Sequence, residues 1–222
     1  YNKNAIIRYA NSISSKYIKY KKSYSNLDHV KDKPFVIALG SYDQPCFFLE
    51  YDRCILPVLY GLYVDEKNEY NGETVYNYGV PVKKMMNIKK SNGSSVPLGL
   101  FTNDSMKEVS AVIFSCGATF SKLEARSKIY TKLNTHFIYV TLNEEGRIKD
   151  NTIRMRNKSE TIQDSLCILH NPYATNPISQ DLLSKQGVSV YNLNIEKNIF
   201  YRKINRYFIV GRMARIIIPR KS

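Results

Sequence analysis

The chain has 222 residues, 43% hydrophobic and 23% charged, with 18 Tyr, no Trp and a formal net charge of +14. That length and mix exclude a disordered chain and fit one large globular domain or two small ones. No apolar stretch approaches the ~18 residues of a membrane span and no secretory leader opens the sequence, so the expectation is a cytoplasmic chain with reduced thiols and no membrane partner.

Taken in chain order, Ile6, Ala10, Ile13, Tyr17, Tyr20 and Tyr24 recur at steps of four and three, which predicts a helix over about 3–24 with Lys16, Lys19 and Lys22 on its other faces. Pro34 introduces the continuous apolar run 35–39, closed by Gly40, which predicts a buried strand. The dense apolar stretch 46–62 contains Pro57, where a helix would kink or restart. Residues 65–81 are polar and predict an excursion loop, followed by an edge strand over 82–90 guarded by lysines. Asn92-Gly93 is the strongest hairpin signal, returning through 96–101.

Val109 to Cys116 predicts a second buried strand, and 121–128 a short polar helix. Thr135 to Leu142 predicts a third strand, 143–161 is hydrophilic, and Leu166 to Leu169 predicts a fourth. A short helix is predicted over 178–185 with Gly187 as its cap, and the tail offers strands over 207–211 and 214–218. With no internal repeat and no Pro/Gly linker, residues 1–222 read as a single α/β domain, a mixed β-sheet core with flanking helices.

The charge is placed at the two ends. Residues 1–33 hold eight Lys or Arg against two acids, and 197–222 hold eight against none. Such concentrations favour polyanions through counterion release. Lys16, Lys19, Lys21 and Lys22 alternate with Tyr17, Tyr20 and Tyr24, while Arg202, Lys203, Arg206 and Arg212 alternate with Tyr201, Tyr207 and Phe208. Cations beside aromatics hold phosphates while rings stack bases, which makes Lys16, Lys19, Lys22, Arg202, Lys203, Arg206 and Arg212 the candidate nucleic-acid-binding residues; the plainer reading of the helical Tyr stripe is a core-facing surface. The functional expectation requires the two ends to gather on one exposed surface.

Other chemistry finds little footing. Cys167-x-x-His170 is the one close Cys/His pair and the remaining Cys and His are scattered, whereas structural zinc needs four ligands. Cys116 before Gly117 lacks a nucleophile signature, so a core thiol is the expectation. No GxGxxG or GxxxxGK[ST] loop is present. Metal-dependent phosphodiester cleavage needs an acid and an Asp/Glu-x-Lys sharing a strand face, and the acids here, such as Asp43, Glu50, Asp52, Asp65 and Glu66, fall in loops or helices.

Several runs together carry a resemblance: A-I-I-R-Y-A-N-S-I-S-S-K-Y-I-K-Y (5–20), K-P-F-V-I-A-L (33–39) with Y-D-Q-P (42–45), V-L-Y-G (58–61), P-L-G-L-F-T-N-D (97–104), V-S-A-V-I-F-S-C-G-A-T-F-S-K-L (109–123) and H-N-P-Y-A-T-N-P (170–177). Over 5–177, discontinuously, the chain resembles a group of uncharacterised bacterial proteins that is similar to the restriction-endonuclease-like, PD-(D/E)xK superfamily. The resemblance implies a restriction-endonuclease-like α/β fold and a Mg²⁺-dependent nuclease acting on DNA, in restriction or phage defence. No catalytic motif of that superfamily matches a position here. The catalytic acids and Mg²⁺ ligands would then lie outside this chain, upstream of Tyr1, making it the later portion of a longer protein. The rival expectation is a non-catalytic DNA- or RNA-binding or protein-interaction module.

Overall fold

A computed structural model describes residues 2–42, 47–50, 53–64, 82–126, 135–142, 148–155, 160–181, 185, 187–196, 199–204 and 208–216. Helix α1 (Asn2–Ser23) buries Ala5, Ile6, Tyr9, Ala10, Ile13 and Tyr20, so the predicted stripe faces the core, with Tyr17 half-buried and Tyr24 turning out to solvent. Its last turns swing the chain back into strand β1 (Phe35–Gly40), where the Tyr20 ring stacks on Phe35 at 3.9 Å between centroids and 9° between planes.

The residues after β1 include a 3-10 turn (Phe47–Leu49) and helix α2 (Ile55–Tyr60), every residue of which is buried. Pro57 lies in the first turn of α2, where its missing N–H has no helical partner to lose, so the proline starts a helix rather than bending one. Gly61 ends α2 with φ 66° and donates its N–H to the Pro57 carbonyl. Two small antiparallel pairs follow, β2 (Leu62–Val64) with β3 (Val82–Lys84), and β4 (Asn87–Lys89) with β5 (Ser95–Pro97). The β4–β5 connection turns at Asn92-Gly93 as predicted, with Gly93 at φ 84° and the Asn92 side-chain oxygen accepting from the Ser94 N–H. The predicted excursion loop 65–81 lies outside the described residues.

The remaining elements are β6 (Val109–Ser115), α3 (Phe120–Arg126), β7 (Thr135–Leu142), β8 (Ile148–Met155), β9 (Leu166–His170), β10 (Val188–Asn194), β11 (Ile199–Ile204) and β12 (Phe208–Ile216). They build a five-stranded mixed sheet in the order β1-β6-β9-β10-β11 and a three-stranded antiparallel sheet in the order β12-β7-β8. Within the larger sheet β1/β6 and β9/β10 run parallel, and β6/β9 and β10/β11 antiparallel. The mixed α/β class expected from the sequence is therefore present. One face of the large sheet, carrying Ile37, Val112, Phe114, Cys167, Leu169, Tyr191 and Phe200, packs with α1 and α2 into a single apolar cluster. The other face carries a smaller one of Ala111, Ile168, Val188 and Val190.

Several expectations change. The run 35–39 is an edge strand, with Ala38 exposed, because β1 pairs on one side only, with β6. The hydrophilic stretch 143–161 contains β8, whose antiparallel ladder with β7 supplies what its polar sequence does not advertise. The β10–β11 hairpin had no prediction. Residues 178–181 and 185 are not helical; Ile178 packs instead on the smaller apolar cluster, and Gly187, at φ 78°, gives its carbonyl to the Ser165 N–H. The two predicted tail strands are one, β12, interrupted by a register shift between Ile209 and Gly211.

The His170-Asn171-Pro172-Tyr173 run is structural. The buried Asn171 amide donates to the Met106 and Val109 carbonyls at 3.0 and 2.9 Å while its oxygen accepts from the Tyr173 N–H. Ser110 Oγ accepts from the Phe35 N–H and donates to the Asn176 carbonyl, tying this segment to β6 and β1 at once.

Candidate nucleic-acid interface

The face of α1 away from the core carries Lys16, Lys19 and Lys22, all exposed. Spaced three apart, they fan over about 120° of the helix circumference. Among the described residues none of the three makes an ion pair. Lys19 Nζ lies 5.8 Å from the centre of the exposed Tyr24 ring, an arrangement of cation and aromatic that leaves the ammonium in water.

Lys21 differs. Its Nζ is 3.4 Å from Glu108 Oε1 and sits over the Tyr17 ring at 5.4 Å. The Tyr17 hydroxyl donates to the other Glu108 oxygen at 2.5 Å. Burial pushes the Glu108 carboxyl up, but the Tyr17 hydrogen bond and the Lys21 charge outweigh it and hold its pKa below the ordinary value. Lys21 is thus spent on a local carboxylate, and Lys21 and Lys22 together also complement the carboxyl end of the helix.

The basic tail is not laid out as expected. Arg202 is 4% exposed; its β11 position pairs with Tyr191 and it shares a sheet face with Phe200, so it is an interior residue and not a surface cation. Lys203, on the opposite face of β11, is exposed. Arg206 and the side chain of Arg212 lie outside the described residues, Arg212 itself standing opposite Tyr139 in the β12–β7 ladder. Helix α1 packs on β1 at one edge of the large sheet and Lys203 belongs to β11 at the other, about 19 Å away at four strand spacings. The expected merging of both ends on one surface is therefore not seen for Lys203 and the α1 lysines.

A buried ionic network went unread in the sequence. Lys122 on α3, 8% exposed, donates to the Ile162 and Asp164 carbonyls at 2.8 and 2.6 Å and lies 3.8 Å from the buried Glu160 carboxylate. Arg126 donates to the Glu160 carbonyl at 2.8 Å, and the Asp164 carboxylate accepts from the Thr161 N–H. A lysine in a polar helix looks solvated on sequence; only the return of residues 160–164 over α3 encloses it.

Cys54, Cys116 and Cys167 are buried, while Cys46 lies outside the described residues. Cys167 and His170, three apart on β9, fall on opposite sheet faces and do not converge. Burial lowers the pKa of His170, which keeps the ring neutral. Among the described residues no three His, Cys, Asp or Glu gather to hold a metal ion, so the Mg²⁺ implied by the resemblance has no fitting ligand set there.

The other buried acid is Glu50, 1% exposed, which follows the 3-10 turn. The Tyr9 hydroxyl of α1 donates to its Oε2. Burial raises the Glu50 pKa above the ordinary 4.5, against the lowering contributions of the Tyr9 bond and Arg8. A carboxyl whose folded pKa is raised contributes stability that is complete below its unfolded pKa and is lost as pH rises through the folded one. Glu50→Gln, which removes the ionisation, is expected to gain on the wild type in urea unfolding as pH rises from about 4.5 to 8. Parallel stability profiles for the two proteins would contradict this.

Comparison with family models, with curated proteins and with solved structures finds no match to this chain.

Proposed function

We propose that the chain binds nucleic acid, DNA foremost, by the phosphate backbone, with the exposed face of α1 as the principal contact. The observation that carries this is the contrast within one helix: Lys21 is neutralised by Glu108, while Lys16, Lys19 and Lys22 project into water without a carboxylate partner among the described residues. Three such ammonium groups on a chain of net charge +14 are phosphate ligands of the kind that positions a duplex without reading its sequence. Lys203 offers a second, separate contact at the far sheet edge, and Arg206 and Arg212 belong to the same tail.

The finer form of the proposal is kinship with the restriction-endonuclease-like proteins, the chain serving as the DNA-holding portion of a Mg²⁺-dependent nuclease. A helix leading into the first strand of a mixed sheet supports that form, and no cleavage step is derived from residues of this chain. The test is fluorescence anisotropy of a labelled duplex titrated with the chain at about 50 mM and about 200 mM salt. Binding that weakens by at least tenfold between the two is expected, and absence of binding at the lower salt refutes the proposal.

A further inference from the structure

Strand β11 closes one edge of the large sheet and alternates buried Phe200 and Arg202 with exposed Ile199, Tyr201 and Lys203. The pleat explains the alternation. Phe200 joins the larger apolar cluster, so the exposed three share the opposite face, the side of Val190, which stands directly across the ladder from Lys203. Val190 is buried in the smaller cluster, and neither that cluster nor the side chains packed against it, Ile113, Leu166 and Ile178, include a residue of β11. Apolar cover on this face therefore stops at β10, and β11 shows its outer side to water.

Tyr201 is 39% exposed there. Among the described residues its ring makes no aromatic contact and its hydroxyl no hydrogen bond, and Lys203 makes no ion pair. Two residues apart on one face of a strand, the two side chains leave the backbone about 7 Å from each other. Across the ladder Tyr201 faces Asn192, a short polar side chain whose oxygen accepts from the Leu193 N–H at 2.9 Å. The ring thus has no bulky neighbour on its paired strand.

Charge selects the occupant. Over 188–222 the chain carries eight Lys or Arg and one acid, Glu196, which lies in the turn at the end of β11 away from Lys203. An apolar peptide would cover Ile199 and Tyr201 but give Lys203 nothing, whereas a polyanion that carries planar rings suits all three. A duplex keeps its base faces stacked on one another, so a ring on an open sheet can stack only on unpaired bases. We infer that this face of β11 binds single-stranded nucleic acid, an unpaired base stacking on Tyr201 while Lys203 holds the neighbouring phosphate. This rests on the nucleic-acid reading above and gives its second contact, at the far sheet edge, a substrate class that the α1 lysines do not distinguish.

The test measures anisotropy of labelled oligo(dT) and of a labelled duplex at low salt, using the whole chain. The wild type is expected to bind both. Tyr201→Thr, which keeps a strand-forming residue, should weaken oligo(dT) about tenfold and leave duplex affinity within about twofold. Tyr201→Phe should hold the wild-type affinity, because the ring is what stacks. Lys203→Gln should flatten the single-strand salt slope by about 0.7. Where a variant does not fold, photocrosslinking of a bromouracil-substituted oligonucleotide to the wild type, mapped by mass spectrometry, should label the peptide that holds Tyr201. Unchanged oligo(dT) affinity in Tyr201→Thr, an equal loss on the duplex, or no crosslink on that peptide overturns the platform. Loss of self-association in Tyr201→Thr with oligo(dT) affinity intact would overturn it too, marking the face as a protein contact. Tyr201-dependent binding of oligo(dT) without duplex binding supports the platform and removes the α1 reading alone. Failure of the wild type to bind either ligand removes both.

Discussion

Replacing Lys16, Lys19 and Lys22 together by Gln is expected to lower duplex affinity about 500-fold at about 0.1 M salt, with little loss of stability. Each neutralised phosphate contributes about 0.9 to the slope of log K against log salt, so three lost contacts flatten the slope by about 2.7 and remove that many decades between 1 M and 0.1 M. Stability is spared because all three side chains are exposed and make no ion pair among the described residues. Lys21→Gln provides the internal contrast. Its charge is held by Glu108, so its effect on the salt slope should be well under one contact, and its main consequence is local. An unchanged slope in the triple variant, or an equal change in Lys21→Gln, would show that the helix is not the phosphate-binding element.

Lys122→Met carries the largest expected stability effect. The methionine fills the aliphatic path of the lysine but withdraws the Lys122 ammonium from the buried Glu160 carboxylate and from two loop carbonyls, at Ile162 and Asp164. Removing one partner of a buried ionic pair costs about 3–5 kcal/mol, far more than the pair contributes relative to an apolar substitute for both. For a chain of this size that is roughly 10 °C in Tm. The double variant Lys122→Met/Glu160→Gln should recover part of the loss, since it removes the buried carboxylate charge together with the ammonium. A thermal or urea unfolding experiment showing the single variant within 1 kcal/mol, on the order of an exposed pair, would place Lys122 in solvent rather than under the 160–164 loop.

How far these features could be seen in advance depended on whether their causes were local. The α1 stripe and the strands over 35–39, 109–115, 135–142 and 166–170 were legible because each is a periodic or continuous apolar segment, and the Asn92-Gly93 turn because glycine takes positive φ there without strain. Strand β8 and the β10–β11 hairpin were not, since Ile148–Met155 is half polar and Ile199–Ile204 alternates apolar residues with Tyr201, Arg202 and Lys203. Their strand character comes from partners distant in sequence. The helix expected over 178–185 failed for the converse reason, its apolar residue Ile178 being drawn onto the sheet face by Ile168 and Val188.

The candidate site divides the same way. Exposure of Lys16, Lys19 and Lys22 follows from the helical wheel. Burial of Arg202 does not, because the tail has no period that distinguishes its inner face from its outer one until β10 supplies the register Tyr191–Arg202. Glu50 had no signal at all: it follows an irregular segment, and its buried hydrogen-bond partner Tyr9 comes from α1, 41 positions away in sequence.

Acetylation of surface amines, read by mass spectrometry with and without a bound duplex, tests the phosphate-binding face most directly. Lys16, Lys19 and Lys22 should be protected together on DNA addition, while the exposed Lys89 on the β4–β5 hairpin keeps its reactivity. Protection spread evenly over the lysines, or absent from α1, would contradict it.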